Sequence, residues 1–166
     1  DIGNDVLSVS VSDDGEYTAA GTVDSIYLFD KDSSTPLWSY DASSRVYAVD
    51  MSSGGEYIVA GSDLDEIHLF ARNSSTPLWT YETESNVRTV AISVDGNYIV
   101  ATGGTNTDKL YLFGKDSSTP LWSYSSDGSI KSVSISADGK YIVAGDDGSS
   151  GYTRLFDKDS NTPLWS

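Results

Sequence analysis

The chain has 166 residues, 38% hydrophobic and 11% aromatic, with 25 acidic against 10 basic side chains and no cysteine. That much apolar and aromatic surface can fill a core, which argues against disorder along the whole length, and the missing cysteines exclude disulfides and thiolate metal sites. A net charge of −15 repels phosphate backbones, and no apolar run reaches the ~20 residues of a membrane span, so neither a nucleic-acid partner nor a helical span is expected. Such a charge is first of all a solvated acidic surface, and it suits high salt or cation binding.

The first element is VLSVSVS, from Val6, whose alternating pattern predicts a half-buried strand. The turn DDGEY follows, with Gly15 at the position where a hairpin needs positive φ. A second strand reads YTAAG and a third IYLFD, and the turn DSSTP leads to a fourth, PLWSY. The whole series then returns from Val46, Val87 and Ile130, at a period of about 41 residues. The ten letters KDSSTPLWSY at 31–40 recur unchanged at 115–124, and close relatives stand at 72–81 and 158–166. No segment carries a capped helical period. The chain is therefore expected to be all-β, a single repeat domain over 1–166, with units at approximately 6–45, 46–86, 87–129 and 130–166.

Length varies at one place in each unit. The stretch from the second-strand Tyr to the third-strand Phe grows irregularly (Tyr17 to Phe29, Tyr57 to Phe70, Tyr98 to Phe113, Tyr141 to Phe156), while the spacing from Pro36 to Val46, Pro77 to Val87 and Pro120 to Ile130 is constant. Insertions thus fall in the loop between strands two and three.

The stretch SVSISADGKYIVAG (132–145) resembles WD40-type repeats, and IYLFDKDSSTPLWSY (26–40) resembles the repeats of quinoprotein-type propellers. The resemblance spans nearly the whole chain and implies a β-propeller in which each unit is one four-stranded blade. It implies further that Trp38, Trp79, Trp122 and Trp165 dock against neighbouring blades, so that one phrase recurs because one socket recurs. The functional marks of both families are missing. The WD40 Trp-Asp place reads Phe29-Asp30, Phe70-Ala71, Phe113-Gly114 and Phe156-Asp157, without a partner His, and a quinone site lacks its vicinal disulfide.

Four blades leave closure open. A homodimer of half-rings making eight blades is the leading expectation, with a closed four-bladed monomer and an open filament as alternatives. The chain opens at Asp1 without an initiator Met or a signal-like segment, as a processed protein or a piece of a longer one would.

Candidate chemistry is sparse. The loops between strands two and three share a propeller face with the links that follow strand four. That face gathers Asp24, Asp41, Asp63, Asp65, Glu66, Glu82, Glu84, Asp108, Asp127, Asp146 and Asp147 as candidates for holding a carbohydrate, peptide or cation. Asp30 and Asp32 faintly match a calcium loop, although its Gly and distal acid are absent and turn hydrogen bonding explains Asx there. The sole histidine, His68, shares its repeat position with Tyr27, Tyr111 and Arg154, which reads as an amphipathic rim site. No catalytic set, cofactor or resident metal is expected. Asn73-Ser74-Ser75 is a glycosylation sequon on a turn. Together these features suggest a non-enzymatic scaffold for protein interaction or self-assembly, outside the cell or on its surface.

Overall fold

The structure is a computed structural model and describes residues 2–103, 108–148 and 151–166. The parts of the last two predicted variable loops at 104–107 and 149–150 lie outside the described residues.

Three antiparallel four-stranded sheets follow one another in the chain. The first is built from β1 (Val6–Val11), β2 (Tyr17–Thr22), β3 (Ser25–Asp30) and β4 (Trp38–Asp41). The second holds β5 (Val46–Met51), β6 (Tyr57–Ser62), β7 (Glu66–Ala71) and β8 (Trp79–Glu82). The third holds β9 (Val87–Ile92), β10 (Tyr98–Gly103), β11 (Lys109–Gly114) and β12 (Trp122–Ser125). A fourth contains β13 (Ile130–Ile135), β14 (Tyr141–Asp146) and β15 (Thr153–Asp157), with strand order following chain order in every sheet. The expected last strand of that blade is reduced to one bridge between Leu155 and Trp165, because the sequence stops at Ser166, two residues into the stretch that forms a four-residue strand in each of the other blades. Among the described residues there is no helix, and none long and apolar enough to cross a membrane.

Strand order places the first strand of each blade innermost, with β5 packed between β1 and β9, and β9 against β13. No comparable packing returns from β13 to β1, and Val9 and Val11 are 66% and 60% exposed, whereas their counterparts Val49, Val90, Met51 and Ile92 are buried. The four blades therefore do not close on themselves, unlike the closed four-bladed alternative.

The run YIVAG makes sense in this stack. Ile58, Val59 and Ala60 are all fully buried, as are Ile99, Val100 and Ala101, because both faces of an inner blade are covered by neighbours. The hairpin before it is fixed by local polar chemistry. Ser12 Oγ donates to Asp14 Oδ1 at 2.6 Å and accepts from Tyr17 N–H at 3.0 Å, and Ser93 with Asp95 and Ser136 with Asp138 repeat the device. These serine hydroxyls are the main reason that Asp14, Asp95 and Asp138 hold their protons less tightly than usual. The hairpin glycines adopt φ of +69° to +73°, and at Gly55, Gly96 and Gly139 a Cβ would also strike the tyrosine ring of the preceding blade, Tyr17, Tyr57 and Tyr98.

One feature differs from the predicted alternation. Each first strand carries a β-bulge near its start, between Val6 and Ser8, Val46 and Ala48, and Ile130 and Ser132, with a matching shift in β9. The bulge lets Val46 and Val49, three residues apart, both turn into the core.

The tryptophans join the blades. Trp38 Nε1 donates to the Arg72 carbonyl at 2.7 Å, Trp79 to Lys115 at 2.8 Å and Trp122 to Lys158 at 2.7 Å. Each indole also leans on the next blade's Phe, with ring centroids 5.3, 5.3 and 5.6 Å apart for Phe70, Phe113 and Phe156. Three of the four expected plugs are thus docked, and Trp165 is 52% exposed. Replacing Trp79 by Ala removes both the ring contact and the carbonyl's donor. It should cost about 3 kcal/mol in urea unfolding, while Trp165→Ala measured on the dilute monomer should cost less than about 0.5 kcal/mol.

Candidate functional site

The loops between second and third strands do meet the inter-blade links. Val23 N–H donates to Asp5 O, Ala42 to Asp24, Asp63 to Arg45, Thr83 to Asp65, Ser126 to Asp108 and Asp147 to Ser129. Backbone pairing of this kind leaves the side chains to finish the joint, and most of the candidate carboxylates are spent on it.

Asp24 accepts from Thr22 Oγ1 at 3.0 Å and from Asn4 Nδ2 at 2.7 Å. Asp63 accepts from Asn86 and lies 3.9 Å from Arg45, and Glu84 pairs with Lys109. Asp41 folds back onto Ser43 N–H at 2.8 Å, and Asp65 is a turn residue with φ of 65°. Asp147 binds Lys131 at 3.0 Å and accepts from Ser129 N–H, and its pairing with that lysine lowers its pKa. Asp108 is buried, with one oxygen accepting from Ile130 N–H and the other without a hydrogen-bond partner, and burial raises its pKa. Asp146 is buried as well, paired with Arg154 and accepting from Ser126 Oγ at 3.0 Å.

Of the remaining candidates Glu82 and Asp127 are exposed and Glu66 is half-buried. Glu66 and Glu82 stand directly opposite each other on β7 and β8, an unfavourable like-charge pair. Burial and then Glu82 raise the pKa of Glu66. Among the described residues no three His, Asp or Glu side chains are arranged to hold a metal ion. Asp30 Oδ1 accepts from Asp32 N–H at 2.9 Å, while Asp32 turns to Lys31 at 3.1 Å, so both serve the turn. Asn73 is exposed on the matching turn of the second blade.

The rim reading of the His68 position is corrected. His68, Tyr111 and Arg154 are buried against the preceding blade, and Tyr27, with no described blade packed on that side, is half-exposed. His68 packs 5.2 Å from the Tyr40 ring and its Nδ1 lies 3.0 Å from Thr80 Oγ1. Burial pushes its pKa down to about 4, so at neutral pH it is uncharged and its 3.5 Å approach to Glu66 is not an ion pair. Tyr, His and Arg all suit a site that is apolar around the stem and offers a polar contact at the tip. Arg154 meets that need with Asp146 and with the rings of Tyr124 and Tyr152 at 5.7 and 4.7 Å.

Sequence reasoning also passed over Asp50. Its Oδ1 accepts from Ser10 Oγ at 3.1 Å and its Oδ2 from Ile92 N–H at 3.0 Å, so one carboxylate braces three blades near the axis. Burial raises its pKa despite those bonds. The signal was a lone Asp where the other units place Ser10, Ala91 and Ser134.

The family pattern described as WD domain, G-beta repeat matches residues 34–69, 75–111 and 118–157, more than half of the chain. The chain belongs to the WD40 repeat family. Each matched WD40 repeat begins before a fourth strand and runs through the first three strands of the following blade, so it straddles a junction rather than a sheet. WD40 repeat domains are in general non-catalytic scaffolds for protein interaction. A comparison with curated proteins finds no match.

His68 supplies a stability test. The unfolded chain takes up the imidazole proton near pH 6.5 and the folded chain only near 4, so stability falls as pH drops through that window. The loss amounts to about 3 kcal/mol. Glu66 acts in the opposite direction, so wild type is compared with His68→Tyr, which installs the residue found at position 111. Urea midpoints at pH 7 and pH 4.5 should show the variant losing less stability than wild type. Equal losses would mean that His68 titrates normally.

Proposed function

We propose that this WD40 chain is a non-enzymatic interaction scaffold that associates with its own kind through its end blades and works outside the cell or on its surface. One observation carries the reading. The docking parts of a blade junction stand unused at the two ends, Trp165 on the fourth blade and the half-exposed Phe29 on the first. A face built to pack on a neighbour, left bare, is an interaction surface. The working location draws support from Ser- and Thr-rich exposed turns and from the sequon at Asn73.

The loop face supports this reading by what its carboxylates do. They tie loops to links and brace the frame, leaving few groups to act on a substrate. A second reading, a cation or small ligand held at that face, draws on Glu66 opposite Glu82.

Solution mass separates the possibilities. Sedimentation should give twice the chain mass of 17.8 kDa, independent of concentration, for two half-rings that complete each other. Mass that climbs with concentration indicates a filament, and a steady 17.8 kDa ends the association reading. In the same preparations, millimolar calcium should leave the melting temperature within about 1 °C, whereas a rise of several degrees would favour the cation reading.

A further inference from the structure

The geometry points to a specific joint between copies, in which the fourth blade of one chain docks on the first blade of a second copy with the contacts already used three times inside each chain. This rests on the association proposed above and names its chemistry.

The internal junctions share three parts. The first is the indole donating to a carbonyl two residues beyond the socket Phe, as in Trp122 to Lys158 beside Phe156. The second is a second-strand tyrosine under the next hairpin glycine, as in Tyr98 under Gly139. The third is a backbone relay between hairpins, Asp13 N–H to Ser53 O at 2.8 Å, Ser53 N–H to Val94 O at 3.0 Å and Val94 N–H to Ala137 O at 3.2 Å.

Each part ends half-made. Trp165 and Tyr141 are exposed on the fourth blade, and the relay stops at Ala137. On the first blade the complementary halves stand open: Phe29 with the Lys31 carbonyl, the space above Gly15, and the carbonyl of Asp13 where the relay starts. A second copy supplies these three missing halves at the same repeat positions, while the edge contact that Tyr40, Tyr81 and Tyr124 make with Phe70, Phe113 and Phe156 falls at a position beyond Ser166. Continuity with an interface built three times over therefore selects the occupant.

The family match carries the same message independently. The terminal segments outside the three matched spans are 1–33 and 158–166, which hold β1 to β3 and Trp165. Brought together across two chains, they reconstitute one further straddling repeat of the matched kind. Each end face is less apolar than an internal one. Thr18 stands where inner blades carry Ile58 and Ile99, and Thr153 where the other three blades carry Ile26, Ile67 and Leu110. The joint between copies is consequently weaker than those within a chain.

The test uses two variants of the 166-residue chain, each damaging one face at an exposed side chain. Trp165→Ala removes the plug and Val9→Lys charges the receiving face. Circular dichroism and urea midpoints should stay at wild-type values for the isolated monomers. Each variant alone should sediment as a monomer, its association weakened at least about thirtyfold. Mixed in equal amounts they should form a pair, because the intact fourth blade of the Val9→Lys chain meets the intact first blade of the Trp165→Ala chain. If wild type associates but neither variant disturbs it, or if the mixture stays monomeric, this joint is refuted while self-association stands. A monomeric wild type refutes both.

Discussion

The indole that crosses from one blade to the next is the contact on which the remainder of the molecule depends. A lone four-stranded sheet of this length would bury little, and its inner strands are apolar on both faces. Only stacking blade on blade removes those faces from water, and the Trp–Phe–carbonyl contact fixes how they stack. It combines apolar burial with one directed hydrogen bond, so it sets both attraction and register. Because the donor lies on the outermost strand and the acceptor follows the third strand of the neighbour, the outer rim is held where blades would otherwise splay apart. At the axis the spacing is tighter, and there the bracing falls to Asp50 and to the bulged first strands.

Much of this was legible in the letters. The fourfold TPLW phrase announced one socket used repeatedly, and the glycine of each hairpin announced its turn. The bulge was written too, as apolar residues spaced by three at the head of each unit, V-x-x-V in three and I-x-x-V in the fourth, but an expectation of strict alternation hid it. The reduced last strand was legible as well, since the sequence stops at Ser166, before the two residues that complete the strands Trp38–Asp41, Trp79–Glu82 and Trp122–Ser125.

The acidic loop face shows why counting charges misleads. Eleven carboxylates at variable positions suggest a binding surface, yet most of them accept hydrogen bonds from the adjoining link or pair with a nearby Lys or Arg. Variable loops of different length need different stitches, and Asp is a versatile one because it accepts from backbone and side chain alike. Which acids would be consumed in this way depends on contacts between segments some 20 residues apart, such as Asn4 with Asp24 and Ser126 with Asp146. His68 was misjudged for a related reason. Polar side chains at a repeat position suggested solvent, whereas a neighbouring blade covers them.

The offset between the matched repeat and the blade has a consequence for how such chains can change length. A segment such as 75–111 carries the Trp79 donor together with the first three strands of the blade that receives it. Copying or deleting a segment in that frame, with its adjoining turn, adds or removes a fitted pair in one stroke and returns the termini to the same chemistry. An ancestral array could thus have been shortened or extended by whole units through recombination, without any compensating change elsewhere. The identity of the phrases at 31–40 and 115–124 is what recent copying of that sort would leave behind.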